Sequence, residues 1–317
     1  MTVPSSAPRP QVLVVGTGAM ASLFGARLMR FGGAVVTLTG SWPVAIASIG
    51  SQGVSVEEPT GQWTAHPRIE PLGGPHAPAD FVLVLVKSHQ TAAVAPVVAR
   101  ALASTGLAVT LQNGIGNAEL LLQATGPGRV SVGVATVGAT LVGPGHVRAT
   151  PGSVVLGAGP SISPALQRFV ELLNESGFET RLDADIDRAL WRKLAVNCAI
   201  NALSALNGCP NGGLLDDPAL CETLVQAARE VGAVAAAKDI SFDVDPAALA
   251  LAVAEKTATN RSSMLQDVER GAATEIEALN GAVVREARRL GVPAPVNESL
   301  WQAIVNRTTG GLPGDIA

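Results

Sequence analysis

The sequence predicts an α/β fold for its first half and an all-helical fold for the rest. Three observations carry this. The chain opens with an apolar run, a glycine-rich turn and a stretch of helical period, the pattern of a βαβ unit. A six-residue apolar run at 81–86 reads as a central strand buried on both faces. After about residue 183 strand-like runs largely disappear, and long helical stretches separated by turn signals take over. With 317 residues the chain fits two domains, placed at 1–183 and 184–317.

In order, residues 11–15 read as a buried strand, 19–31 as a helix ended by Gly32-Gly33, and 34–39 as a second strand. A helix is expected over 89–103 and a further strand over 107–111. Residues 130–142 and 146–156 flank Gly143-Pro144-Gly145, which predicts an antiparallel hairpin late in the sheet. Residues 164–176 are helical and stop at Gly177. The helical region follows with stretches at 187–206, 218–238, 246–257, 274–290 and 297–306. The Pro- and Ser-rich start and the Gly-rich tail from Thr308 are expected to fray.

Composition narrows the function. Apolar residues make up 47 % of the chain, enough for a sizeable core, but aromatic residues only 3 %, with no Tyr. That argues against a stacking platform for nucleic acid, and the net charge of −4 gives no basic footprint for a phosphate backbone. Charge is uneven: residues 1–160 carry a net +3 and the remainder −7. No apolar run approaches the ~18 residues that cross a bilayer, so no membrane partner is expected. The three cysteines, Cys198, Cys209 and Cys221, form no C-x-x-C pair. They read as reduced, buried thiols of a cytoplasmic protein, and no metal site is expected.

Gly16-Thr17-Gly18-Ala19-Met20-Ala21 fits G-x-G-x-x-A. The first glycine permits the tight turn, the second lets backbone approach a pyrophosphate, and the small third residue lets helix and strand pack closely. Its place between a strand and a helix is the context a dinucleotide-binding, Rossmann-type domain requires. The second strand should end on the residue that reads the ribose. An acid there selects NAD and an Arg favours NADP. The chain has neither: it reads Leu38-Thr39-Gly40-Ser41-Trp42, with no acid between Gly16 and Val56. Thr39 and Ser41 offer weaker hydrogen bonds. Trp42 can stack on adenine or pack beneath the loop.

Lys193, Asn197 and Asn201 fall at i, i+4 and i+8 of an otherwise apolar helix and share one face, drifting about 40° per step. Asn is a poor helix former, so two of them one turn apart favour a ligand-facing stripe over a merely solvated one. Lysine is scarce, with four in the chain against 18 Arg. Lys87 ends the apolar strand, and Asn113-Gly114 follows the next one. Strand ends are where open α/β sheets bind ligands, although Asn-Gly is also ordinary turn chemistry.

Taken together, these residues resemble the ketopantoate reductase family. The most specific piece is Trp191-Arg192-Lys193-Leu194-Ala195-Val196-Asn197-Cys198 continuing to Asn201. Ser262-Ser263-Met264-Leu265-Gln266-Asp267, Thr274-Glu275-Ile276 with Asn280-Gly281, Gln112-Asn113-Gly114-Ile115-Gly116 and Lys87 complete it. The resemblance implies a two-domain reductase with its site in the interdomain cleft. There NADPH would reduce 2-dehydropantoate, a small 2-oxo acid, to (R)-pantoate for pantothenate and coenzyme A synthesis. It implies Lys193 as general acid, with Glu275 holding it and contacting substrate. Asn197 and Asn201 would bind the hydroxyl and keto oxygens and Ser263 the carboxylate. Lys87 and Asn113 would line the nicotinamide and substrate edge. The cofactor set is Gly16, Thr17, Gly18, Ala19, Met20, Ser41, Lys87, Asn113 and Glu275.

Many members carry an Arg at about Gly40, and its absence leaves NAD possible beside NADP. The resemblance extends to NAD-dependent D-2-hydroxyacid dehydrogenases acting on mandelate-like substrates. A non-catalytic dinucleotide sensor has no use for Lys193 and Glu275 aligned with Asn197, Asn201 and Ser263. None of the four His residues sits with a carboxylate at a suggestive spacing, which argues against a His–Asp dehydrogenase. A homodimer is compatible with the sequence.

Overall fold

The computed structural model describes residues 8–158 and 163–309. Most of the expected frayed start, and the tail from 310 onward, lie outside the described residues; Thr308 belongs to the last helix. The chain divides into two compact units, Met1–Gln112 with Asn117–Ile186, and Asn113–Gly116 with Asp187–Ala317.

The first unit runs β1 (Gln11–Val15), α1 (Ala19–Arg30), β2 (Val35–Gly40), α2 (Pro43–Gln52), β3 (Val54–Glu58), β4 (Gly61–Ala65), β5 (Arg68–Pro71) and β6 (Ala79–Val84). It continues with α3 (Thr91–Ala101), β7 (Leu102–Thr110), α4 (Asn117–Thr125), β8 (Val130–Ala135), β9 (Gly138–Gly143), β10 (His146–Thr150), β11 (Ser153–Gly157), α5 (Pro164–Glu175) and β12 (Glu179–Asp183). Eight strands form one sheet in the order β12-β11-β8-β7-β6-β1-β2-β5. All its neighbours are parallel except β8 and β11. The apolar runs of β1 and β6 are buried on both faces, as such runs predict. Strand order reverses at β1, which pairs with both β2 and β6, the point where open α/β sheets bind ligands.

A second sheet, β4-β3-β10-β9, packs on the other side of α1. Helix α1 is therefore covered from two directions and buries seven of its twelve residues, Leu23, Phe24 and Leu28 among them. This corrects the expected hairpin. Its two arms do not run unbroken within the main sheet. Each is interrupted, at 136–137 and 151–152, so β8 and β11 pair in the main sheet while β9 and β10 cross to the small one. There β10 pairs in parallel with β3, some ninety residues earlier in the chain.

The second unit is helical: α6 (Ile186–Asn207), α7 (Gly213–Asp216), α8 (Pro218–Ala236), α9 (Pro246–Lys256), α10 (Ser263–Glu269), α11 (Asn280–Leu290) and α12 (Pro295–Thr309). Its core is Ala- and Leu-rich and includes Ala195, Cys198, Ala199, Ala202 and Leu203 of α6 and Leu224, Ala227, Ala228 and Val231 of α8. Asp217 and Asp245 cap α8 and α9 by accepting backbone N–H bonds just before a proline at the first turn. The helix expected over 274–290 begins only at Asn280. Residues 275–279 form a separate turn, closed by Leu279 N–H to the Glu275 carbonyl at 3.1 Å and Gly281 N–H to that of Ile276 at 3.0 Å. Leu279, at φ −101° and ψ −107°, breaks the helical path between them.

Candidate active site

In the first unit the parallel strands β1, β6 and β7 bring three loops to one edge of the sheet: 16–18, 85–87 and the end of β7 at Gln112. Gly16 has φ +137°, and a Cβ there would lie 2.9 Å from the Leu85 carbonyl oxygen, so both conformation and space require glycine. Its N–H donates to the Thr39 carbonyl at 2.7 Å, tying the turn to the end of β2. Gly18 caps α1 without a side-chain hydrogen bond, and a Cβ on it would meet nothing within 4 Å. No acid occupies the first turn, Ala19 and Met20 included. Exposed N–H groups with open space above fit a pyrophosphate, so the residues present fit a dinucleotide.

Lys87 lies in the loop after β6, where its N–H donates to Gln90 Oε1 at 3.2 Å. Gln112 locks this corner: its Nε2 donates to the Val86 carbonyl at 2.9 Å and to Thr91 Oγ1 at 2.8 Å. Thr91 in turn donates to Asn117 Oδ1 at 2.8 Å. Sequence reasoning singled out Lys87 but not Gln90 or Thr91, which follow it in the polar run 87–91 and carry no signal of their own.

Just past the end of β2, Ser41 is exposed and Trp42 is 37 % exposed. Gly40 is buried, and a Cβ on it would fall 2.7 Å from Thr17 Cγ2 and 2.9 Å from Thr17 Oγ1. The missing side chain at position 40 thus has a local cause: Thr17 fills its space.

In the second unit, α6 carries Lys193, Asn197 and Asn201 along one face. Lys193 is half-buried by surface, yet enough protein surrounds its ammonium to lower its pKa from 10.5 to about 8. Desolvation is the larger influence and lowers the value, while the Glu275 carboxylate raises it. Glu275 is only 7 % exposed and accepts from Asn113 Nδ2 at 3.0 Å. Asn113 can do this because the 113–116 segment lies against the 275–279 turn: Ile115 N–H donates to the Ala278 carbonyl at 3.2 Å. Gly114, at φ +82°, has no room for a Cβ beside Ala278.

Asn197 is half-buried and Asn201 only 7 % exposed. Among the described residues neither amide has a hydrogen-bond partner. Buried amides are normally bonded, so this pair has hydrogen-bonding capacity to offer a ligand. The stripe continues one turn further to Ser204, which sequence reasoning missed. Its Oγ donates to the Cys209 carbonyl at 2.9 Å and lies 3.1 Å from Ser262 Oγ. Ser262 caps α10 by accepting from Leu265 N–H at 3.1 Å. Ser263, the first residue of that helix, is exposed next to it.

Comparison with known proteins shows the family. Residues 12–161 match the family described as "Ketopantoate reductase PanE/ApbA" and residues 185–307 its C-terminal domain, "Ketopantoate reductase PanE/ApbA C terminal". The chain belongs to the ketopantoate reductase family. A 2-dehydropantoate 2-reductase of Halobacterium salinarum is 36 % identical over 92 % of this chain and 96 % of its own. The structure of a ketopantoate reductase of this family from Ralstonia eutropha JMP134 superposes with a TM-score of 0.86 at 30 % identity, over 95 % of this chain and 99 % of the other. A D-mandelate dehydrogenase solved with NADH and anilino(oxo)acetate shares the fold at TM-score 0.88 and 23 % identity, over 95 % and 98 % of the two chains. Among the described residues no helix is long and apolar enough to cross a membrane, and no cluster of ligand side chains is placed to hold a metal ion.

Within this family member, the Glu275 carboxylate acts on Lys193 with a definite sign. Glu275 raises the Lys193 pKa, so Glu275→Gln lets it fall further below about 8. If protonated Lys193 is needed for turnover, activity is lost as pH rises through this value. The high-pH limb of a rate profile then moves to lower pH in Glu275→Gln. A limb that stays in place or moves upward contradicts the pairing.

Proposed function

We propose that the protein reduces 2-dehydropantoate to (R)-pantoate with NADPH, the step that leads toward pantothenate and coenzyme A. The observation that carries this reading is a half-buried lysine of lowered pKa beside a buried carboxylate, on a helix face with two unpartnered amides. NADPH, when bound, supplies the hydride that reaches the keto carbon. The protein's task is then the oxygen. As the carbonyl becomes an alkoxide, Lys193 meets the developing charge and hands a proton from Nζ to that oxygen. A pKa of about 8 leaves the lysine mostly protonated at neutral pH while making it a better acid than an exposed one.

Glu275 keeps the ammonium charged against desolvation, and Asn113 holds Glu275 in place. Asn197 and Asn201 orient the hydroxyl and keto oxygens without adding charge, and Ser263 takes the carboxylate. Gly16, Thr17, Gly18, Ala19, Met20, Ser41, Lys87 and Asn113 are assigned to the cofactor.

A second reading is an NAD-dependent D-2-hydroxyacid dehydrogenase. The Thr17–Gly40 packing favours it, because no cation can stand at position 40 to neutralise a 2′-phosphate. We retain NADPH as preferred, since no acid between Gly16 and Val56 repels that phosphate or selects a ribose diol. A steady-state assay of 2-dehydropantoate with NADPH and NADH side by side separates the readings. Faster turnover of a mandelate-type 2-oxo acid with NADH overturns the first.

Lys193→Ala should lower kcat by about 10²–10³-fold, the cost of one lost donor to developing charge. Asn197→Ala and Ser263→Ala should act more on KM, since an anchor contributes in ground and transition states alike. A Lys193→Ala enzyme within a few-fold of wild type removes the lysine from the chemistry.

Gly40→Arg alone drives a Cβ into Thr17, so it should lower Tm and weaken both cofactors. Paired with Thr17→Ala, it should gain NADPH preference by roughly tenfold or more, as a charged hydrogen bond replaces a neutral one. An improvement from Gly40→Arg alone contradicts the steric account.

A further inference from the structure

Asn280 is a fully buried polar residue in the apolar core of the second unit, and the chemistry described so far does not use it. It opens α11, five residues after Glu275. Its Nδ2 lies 3.0 Å from the Cys198 carbonyl on α6 and 3.0 Å from Asn297 Oδ1 on α12, and donates to both. Asn297 is itself fully buried and is fixed from the other side. Its Nδ2 donates to the Ala227 carbonyl at 3.0 Å and to Glu230 Oε2 at 2.8 Å. The Glu230 carboxylate also accepts the backbone N–H groups of Val296 and Asn297, both at 2.9 Å, closing the first turn of α12. A polar chain thus runs from α8 through α12 and α11 to α6.

Where this chain ends is informative. Cys198 follows Asn197 and sits between the two amides of the stripe, so Asn280 grips α6 in its functional stretch. The 275–279 turn is tied to the start of α11. It is closed on itself by Ala278 and Leu279 N–H groups donating to the Glu275 carbonyl at 3.0 and 3.1 Å. It joins α11 through Gly281 N–H to the Ile276 carbonyl. Moving the start of α11 therefore moves Glu275.

The Oδ1 of Asn280 is buried and has no partner among the described residues. An orphaned buried acceptor is destabilising and offsets part of what the two Nδ2 bonds contribute.

We propose that Asn280 is a positioning residue: by holding the start of α11 to the Cys198 carbonyl, it sets the separation of Glu275 from Lys193. The proposal rests on the reading of Lys193 as proton donor. Glu275 is the charged side chain that raises the Lys193 pKa, so a displaced turn weakens that influence.

The test is a double-mutant cycle on kcat for 2-dehydropantoate reduction. Asn280→Ala should lower kcat by about tenfold in the wild-type background and by less than about twofold in Glu275→Gln, because its effect passes through Glu275. Equal losses in both backgrounds overturn the proposal. Leu224→Ala, which opens a cavity in α8 of the same core, serves as a structural control: it should lower Tm without this coupling. If Asn280→Ala does not fold, Asn280→Ser replaces it in the cycle.

A second readout needs no substrate. The pH dependence of Lys193 labelling by an amine-reactive reagent should shift to lower pH in Asn280→Ala, in the direction that Glu275→Gln produces. An unshifted profile overturns the proposal. A wild-type enzyme without reductase activity removes the functional reading, and the labelling profile still decides the role of Asn280.

Discussion

The second unit is organised around one constraint: a lysine ammonium must be kept on a largely apolar helix. Desolvation of Lys193 opposes its charge, and the Glu275 carboxylate only partly offsets that, which leaves the pKa at about 8 rather than 10.5. A neighbouring carboxylate helps only if it is itself held. The structure meets this need with Asn113, which donates to Glu275, and with a turn that is closed separately from α11. The same need explains why four residues from the middle of the α/β sequence, 113–116, group with the helical unit. Without them Glu275 would lose the Asn113 amide as a hydrogen-bond donor.

The first unit meets a different constraint, the close packing of a glycine-rich turn between strand ends. Layers of strand on both sides bury α1 and fix the turn that starts it. Gly16 is held by the end of β2, and Thr17 fills the space beside Gly40. One residue of the glycine-rich turn thereby decides what can stand at the end of β2.

Much of this was legible in the sequence, and the reasons are local. The βαβ opening shows because an apolar strand, a glycine turn and a helix follow one another directly. The Lys193, Asn197 and Asn201 stripe shows because helical period is a property of a single segment. The small sheet did not show, because β3 and β10 meet in parallel across some ninety residues and neither is strongly apolar. Glu275 was placed on a helix because Glu, Ala and Leu around it favour one. Asn280-Gly281 directly after Leu279 is turn chemistry, but inside a stretch of helical period it reads as helix interior, and the path breaks there at Leu279. Ser204 completes the stripe in three dimensions, but a serine near the end of an Ala-rich helix carries no signal of its own.

Lys193 is one of only four lysines, with Lys87, Lys238 and Lys256, so its charge can be followed directly. The most direct measurement is an NMR titration of the protein carrying ¹³C at the lysine ε-carbons, with Lys193→Met to assign the signal. The account predicts one lysine titrating near pH 8, missing from Lys193→Met. Four lysines all titrating near the ordinary value of about 10.4 would contradict it.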